Sequence, residues 1–320
     1  MKLVIIIPCF NEEKTLPQVL NSIPKRIKGI KKIEKVVIDD GSTDKTAEVA
    51  KKNRVIIVSH KINSGLGTAF KTGINTALER GASIVVTLDG DMQFNPLDIP
   101  SLIEPILKGE ANFVTATRYK KYLDYNLKNR GIKNLGNKLF TKLVNFLTKR
   151  SFTDVSCGFR AYDKESLLRL MIFGHFTYTH EVFLDLVHKD MVIKEVPVKV
   201  RPNRKFGKSK ISDDLFNYGY SALKIIFRSV RDHRPLNFFA MPGFYIFIFG
   251  FLFDVVFVIG WLILERTTPF RTYGIVGAFL NTIGLLLILL GFLADMLGRI
   301  KDTQEEILYQ IKKSQWRRQI

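Results

Sequence analysis

The chain has 320 residues, with 49 Lys and Arg against 30 Asp and Glu for a formal charge of +19, and 46% of its residues are apolar. That composition excludes a disordered or collagen-like chain, and the length allows roughly two folded units of about 150 residues. Cys9 and Cys157 are the only cysteines, which excludes a disulfide-stapled secreted scaffold.

In chain order, β-branched runs at 3–7, 36–38, 55–58, 84–88 and 113–116 alternate with helical stretches at 15–22, 44–52, 66–80 and 99–107. The alternation predicts an α/β domain whose mostly parallel sheet is covered by helices. The opening run is too short for a signal h-region and is read as the first strand. Polar residues collect where the predicted strands end. Pro8, Phe10, Asn11 and Glu12 follow the first, Asp39 and Asp40 the second, Asn63, Gly65 and Gly67 the third, and Asp89, Asp91 and Gln93 the fourth. Open α/β sheets bind their ligands at that rim.

A dinucleotide fingerprint would place Gly-x-Gly-x-x-Gly after the first strand, whereas Gly65-Leu66-Gly67 follows the third and has Phe70 in place of the last glycine. Neither a phosphate loop ending in Gly-Lys-Ser/Thr nor a zinc-ligand spacing occurs. Asp89-Gly90-Asp91 is short, and roughly one Asp-x-Asp arises by chance in a chain of this length. Its weight comes from its place: with Gln93 it sets hard oxygen donors beside other acids, where Mg²⁺ or Mn²⁺ would bridge a diphosphate.

Residues 236–264 are apolar apart from Asn237 and Asp254, and as a helix would be roughly 43 Å long, more than the roughly 30 Å hydrocarbon core of a bilayer. Residues 273–297 repeat the pattern, and the connector 265–272 contains Pro269, so the two read as a transmembrane hairpin. Lys224, Arg228, Arg231 and Arg234 precede it and Arg299, Lys301, Lys312, Lys313, Arg317 and Arg318 follow it, against Arg266 and Arg271 between the spans. Both ends are therefore expected on the cytoplasmic side of a multi-pass cell-membrane protein. Asp254 at a helix centre would cost roughly 2.5 to 3.5 kcal/mol, so it is expected to face the partner helix or an interface. Residues 211–234 place apolar side chains at helical spacing among basic ones, as suits a helix lying on the membrane surface. The resulting division is 1–210 catalytic, 211–235 juxtamembrane, 236–298 spanning and 299–320 a basic tail. The positive charge is assigned to lipid and phosphate contacts, not to nucleic acid. Gly250, Gly260, Gly284 and Gly291 would suit self-association of the spans into a homo-oligomer.

Five stretches together resemble the family 2 glycosyltransferases of the GT-A fold, in their dolichol-phosphate mannosyltransferase and polyprenyl-phosphate glucosyltransferase branch. They are Ile7-Pro8-Cys9-Phe10-Asn11-Glu12-Glu13, Ile38-Asp39-Asp40-Gly41-Ser42-Thr43-Asp44-Lys45-Thr46, Asn63-Ser64-Gly65-Leu66-Gly67, Leu88-Asp89-Gly90-Asp91-Met92-Gln93 and Asp154-Val155-Ser156-Cys157-Gly158-Phe159-Arg160. Arg204-Lys205-Phe206-Gly207-Lys208-Ser209-Lys210 resembles the loop that these enzymes place between catalytic domain and membrane. The resemblance implies a Rossmann-like GT-A domain followed by an interfacial helix and the hairpin. It implies that Pro8, Phe10, Glu12, Ile38, Asp40, Asp89, Gly90, Asp91, Gln93 and Arg204 hold the nucleotide-sugar, and that Asp89, Asp91 and Gln93 bind the metal. Asp89, Asp91 and Arg204 are then the catalytic set, while Arg118, Arg130 and Asn134 grip the phosphate of a polyprenyl or dolichyl phosphate acceptor. The implied reaction is transfer of a hexose from a UDP- or GDP-sugar to that phosphate with inversion. The alternative is transfer to a glycan acceptor in polysaccharide synthesis, although Gln315-Trp316-Arg317-Arg318 lacks the residue order of the Gln-x-x-Arg-Trp motif that processive synthases carry.

Overall fold

A computed structural model describes residues 1–119, 131–171, 179–201, 224, 227, 231–232 and 235–317, with backbone alone at 131–135 and 180. The predicted surface helix at 211–234 therefore lies almost wholly outside the described residues. By its internal contacts the chain divides into two units, Met1–Ile226 with Leu308–Ile320, and Phe227–Ile307.

The first unit alternates strand and helix through β1 (Lys2–Cys9), α1 (Leu16–Ser22), β2 (Lys32–Asp39), α2 (Thr46–Lys52), β3 (Ile56–Ser59), α3 (Leu66–Glu79) and β4 (Ile84–Thr87). It continues through α4 (Ile99–Leu107), β5 (Phe113–Thr117), α5 (Gly131–Thr148), β6 (Arg160–Asp163), α6 (Lys164–Arg169), α7 (Thr179–His188) and β7 (Ile193–Pro197). The strands form one seven-stranded sheet in the order β3-β2-β1-β4-β6-β5-β7. All neighbours are parallel except β6, which runs antiparallel to β4 and β5. Leu3, Ile5, Ile7, Val37 and Val86 are fully or almost fully buried, as continuous β-branched runs are when helices cover both faces of a parallel sheet.

The strand order creates the site. From β1 the chain adds β2 and β3 on one side and then returns to place β4 on the other. Its direction of winding reverses between β1 and β4, so the loops leaving their carboxyl ends diverge and leave a crevice. Cys9–Glu12 and Asp89–Gln93 stand at that crevice.

The second unit contains α8 (Met241–Leu264), preceded by a π-helical turn (Leu236–Ala240), and the part of α9 (Arg271–Arg317) that reaches Ile307. Leu236–Leu264 and Arg271–Arg317 are both long and apolar enough to cross a membrane, and most of their apolar surface is exposed, unlike that of a buried core hairpin. Asp254 meets the partner helix as expected, accepting a hydrogen bond from Asn281 Nδ2. The helices approach closely here: a Cβ on Gly250 would lie 2.5 Å from Asn281 Oδ1. Helix α9 runs on past residue 298 into the stretch read as the basic tail. Helix formers continue there, and Arg299 with Asp295 and Lys301 with Glu305 add i,i+4 pairs that carry α9 on.

Glu34 on β2 ties the edge of the first unit together. Lys2 Nζ lies 3.0 Å from it, Lys32 Nζ 2.9 Å and Arg80 Nε 2.5 Å. Burial alone would raise its pKa, but the hydrogen bonds from Arg80, Lys32 and Lys2 outweigh it and hold the carboxyl at about 2 against an ordinary 4.5. A carboxylate with a depressed folded pKa stabilises fully above its unfolded value and loses that contribution as pH falls through the folded one. Between about pH 4.5 and about 2, the thermal midpoint of wild type in detergent is therefore expected to fall more steeply than that of Glu34→Gln. Parallel slopes would contradict the pairing.

Candidate active site

The five motif stretches, far apart in sequence, lock into one another at the carboxyl rim of the sheet. Asn11, in a left-handed conformation with φ 58°, lets the chain turn out of β1. Its N–H donates to Ser42 Oγ at 2.9 Å and its Oδ1 accepts from the Thr43 N–H at 2.8 Å. The Glu12 N–H donates to Thr46 Oγ1 at 2.8 Å and the Glu13 N–H to Asp44 Oδ2 at 3.1 Å, so the first stretch is laced to the second. Gly41 has φ +74°, and a Cβ there would sit 2.5 Å from the Ile62 carbonyl carbon, so only glycine admits the 62–65 loop. A Cβ on Gly90 would lie 2.8 Å from Cys9 Sγ, and one on Gly158 would lie 3.3 Å from Asp89 Oδ2. The fourth stretch thus sits between the first and the fifth.

Carboxylates on this rim accept from hydroxyl and backbone N–H groups. Thr15 Oγ1 donates to Glu12 Oε2 at 2.7 Å, the Ser42 N–H to Asp39 Oδ1 at 3.1 Å, and the Gln93 N–H to Asp91 Oδ1 at 3.0 Å. Asp40 accepts from the Ser64 N–H at 3.0 Å, the Gly65 N–H at 2.8 Å and His60 Nδ1 at 2.6 Å. Cys9 registers the resulting field: burial first, then the charges of Glu12, Asp39, Asp89 and Asp44, push its thiol well above the ordinary range. Such a rim attracts a cation.

Among the described residues, no group of three or more His, Cys, Asp or Glu is placed to hold a metal ion by itself. That suits Mg²⁺ or Mn²⁺ shared with a ligand, because these ions take one or two carboxylates and complete their octahedron with water and phosphate oxygens. Asp89 is half-buried and Asp91 is 3% exposed, one residue apart on the turn after β4, with Gln93 beside them. The donor set therefore fits a hard divalent cation.

Other expected residues fall in different places. Pro8 and Phe10 are half-buried at the end of β1, Glu12 is buried beside them, and Gly90 is buried against Cys9. Ile38 is fully buried, and its Cγ1 would lie 3.4 Å from a Cβ on Gly73 of α3, so its side chain serves the core. Arg118 stands after β5, its Nε 2.6 Å from Asp154 Oδ2 and its Nη2 2.8 Å from Asp154 Oδ1 and 2.6 Å from Ser156 Oγ. No described residue accepts from its Nη1, and 22% of the side chain is exposed. Burial works against the guanidinium charge, but the Asp154 carboxylate raises its pKa further above an already high ordinary value. Asp154 in turn is held below the usual carboxylate range: its own burial opposes this, and Arg118 overrides it. Asn134 lies on α5, its side chain outside the described residues, and Arg130 and Arg204 lie outside them altogether.

Two residues that sequence reasoning passed over are structural partners of the site. Glu195 on β7 accepts from the Thr153 N–H at 2.8 Å and the Asp154 N–H at 3.0 Å, which fixes the acid that holds Arg118. His60 grips Asp40 from the end of β3. The only signal for His60 was its place, between a strand and the Asn63-Ser64-Gly65 loop.

A model of the family described as glycosyl transferase family 2 matches residues 4–170. The chain is 28% identical to the undecaprenyl-phosphate 4-deoxy-4-formamido-L-arabinose transferase of Proteus mirabilis, over 98% of this chain and 93% of that one. It is 31% identical to the UDP-N-acetylglucosamine–dolichyl-phosphate N-acetylglucosaminyltransferase of Methanococcus voltae, over 61% of this chain and 84% of that one. Among solved structures, glucosyl-3-phosphoglycerate synthase from Mycobacterium tuberculosis, crystallised with Mn²⁺, UDP-glucose and phosphoglyceric acid, superposes with a TM-score of 0.57 at 22% identity, over 71% of this chain and 79% of that one. At that identity the likeness speaks for the fold.

Removing one partner of a buried ion pair strands the other and costs about 3–5 kcal/mol. Because Arg118 retains some exposure, Asp154→Asn is expected to fall at the low end of that range, read as a lowered thermal midpoint. The double variant Asp154→Asn/Arg118→Gln should recover part of the loss. Equal midpoints for Asp154→Asn and wild type would contradict the pairing.

Proposed function

Because the chain belongs to the family 2 glycosyltransferases and carries their GT-A fold, we propose that it transfers a hexose from a nucleoside-diphosphate sugar to the phosphate of a polyprenyl or dolichyl phosphate, with inversion at the anomeric carbon. The product is a lipid-monophosphate sugar. The observation that carries this reading is the union in one chain of the five-stretch rim with two helices long and apolar enough to cross a membrane. The relative matched over 98% of this chain is named for transfer to undecaprenyl phosphate, which supports the same acceptor class.

In this reading Pro8, Phe10, Glu12 and Asp40 form the nucleotide side of the crevice, and Asp89, Asp91 and Gln93 hold Mg²⁺ or Mn²⁺. The bound cation supplies countercharge to a departing diphosphate. Arg118, fixed by Asp154 and Ser156, presents Nη1 to the acceptor phosphate, with Arg130 and Asn134 assigned to the same group and Arg204 to the donor. A phosphate monoester has its second pKa near 6 and is largely dianionic at pH 7, so its oxygen attacks without a strong general base. The residues therefore contribute by orientation and electrostatic stabilisation.

The membrane setting belongs to the proposal as well: a multi-pass protein whose flanking Lys and Arg keep the catalytic unit cytoplasmic. Support comes from α5, which exposes Leu139 and Phe146 together with Lys138 and Lys142, and from the exposed Lys149 and Arg150 just after it, while no Asp or Glu occurs from 125 to 153. An apolar stripe with basic flanks suits an anionic bilayer surface.

The test is sugar transfer into the lipid phase by detergent-purified protein given polyprenyl phosphate, a panel of UDP- and GDP-sugars, and Mg²⁺, Mn²⁺ or EDTA. Transfer from one donor, abolished by EDTA and at least about a hundredfold lower in Asp91→Asn, is the expected result. Transfer to a glycan with none to the lipid would overturn the acceptor assignment.

A further inference from the structure

Asp40 has four lone-pair positions, and among the described residues three are in use. Its Oδ1 accepts from both His60 Nδ1 at 2.6 Å and the Ser64 N–H at 3.0 Å, and its Oδ2 accepts from the Gly65 N–H at 2.8 Å. A carboxylate oxygen offers about two acceptor positions, so Oδ1 is filled and Oδ2 keeps one. Both Ser64 and Gly65 lie in the turn that starts α3, so those two bonds are fixed by the fold. The third depends on a side chain. The imidazole leaves β3 at His60, whose own N–H donates to the Asp39 carbonyl at 2.8 Å, and its Nε2 pairs with Thr72 Oγ1 of α3 at 3.0 Å. An ionised carboxylate only accepts, so the proton between His60 and Asp40 belongs to Nδ1. The His60 side chain is 16% exposed and that of Asp40 is 6% exposed, which leaves the carboxylate a narrow window for a ligand.

We propose that His60 is a positioning residue for nucleotide recognition: by filling Asp40 Oδ1 it leaves one acceptor position, so the pocket takes a base that presents a single imide N–H, as uracil does. Guanine presents an N–H and an adjacent amino group, which need both carboxylate oxygens at once. Cytosine presents a bare ring nitrogen and would set a lone pair against the carboxylate. This inference rests on the reading of Asp40 as a nucleotide contact, and it narrows the donor to a uridine-diphosphate sugar. Discrimination of this kind arises when a buried donor or acceptor on the wrong base goes unpaired.

The experiment is calorimetric titration of UDP, GDP and CDP into the full chain in detergent with Mn²⁺, for wild type, His60→Ala and His60→Asn. Wild type should bind UDP about tenfold or more tighter than GDP or CDP. His60→Ala frees Oδ1, so the UDP-to-GDP ratio should fall to within about threefold. His60→Asn, whose carboxamide N–H can replace Nδ1–H, should restore much of the preference without the Thr72 contact. Circular dichroism of each variant establishes that it is folded, and the wild-type ratio tests the proposal with no variant at all. Wild type that binds GDP as tightly as UDP overturns the proposal. So does a folded His60→Ala with an unchanged ratio, which leaves the transferase reading standing. Wild type that binds none of the three overturns that reading, and the inference with it.

Discussion

Crowding carboxylates at one end of a sheet costs free energy unless each is held, and how each is held decides what the rim can do. Here the holding groups include backbone N–H and hydroxyl dipoles: Ser42 on Asp39, Ser64 and Gly65 on Asp40, Thr46 on Asp44, Thr15 on Glu12, and Gln93 on Asp91. The acids that serve structure are handled otherwise, Glu34 among Lys2, Lys32 and Arg80, and Asp154 against Arg118. The rim acids thus meet backbone N–H and hydroxyl groups, and the supporting acids meet Lys and Arg side chains.

The acid-rich rim follows from topology. Winding that reverses between β1 and β4 brings the acids after β1, β2 and β4 to one crevice, and the glycines at 41, 90 and 158 let backbone approach side chain there without a Cβ in the way. Each loop is hydrogen-bonded to or packed on the next, so the site is assembled before any ligand arrives, and preorganisation of this kind is what electrostatic catalysis requires. Across the sheet, Arg118 is held by both oxygens of Asp154.

Much of this was legible in the sequence, for a physical reason. Parallel strands buried on both faces leave unbroken β-branched runs, and the acids after them fall at the ligand-binding edge, so the five strands and the rim were readable without coordinates. Strand β6 was not. It reads Arg-Ala-Tyr-Asp, and its Arg160 is fully buried on the carbonyls of Cys157, Val155 and Thr179 between the rings of Phe113 and Phe183. No periodicity announces a buried arginine, because its partners are assembled only by the fold. His60 was silent because a lone histidine carries no pattern until Asp40 and Thr72 are brought to its two ring nitrogens.

The central claim is that cation and nucleotide bind together at the rim, because among the described residues no group of three or more His, Cys, Asp or Glu is placed to hold a metal ion by itself. Electron paramagnetic resonance titration of Mn²⁺ into the detergent-purified chain, with and without a nucleoside diphosphate, tests this most directly. The account predicts weak Mn²⁺ binding to the protein alone, tightened tenfold or more once the nucleotide is present, with the coupling lost in Asp91→Asn. Tight Mn²⁺ binding without nucleotide, or an affinity that nucleotide does not change, would contradict it.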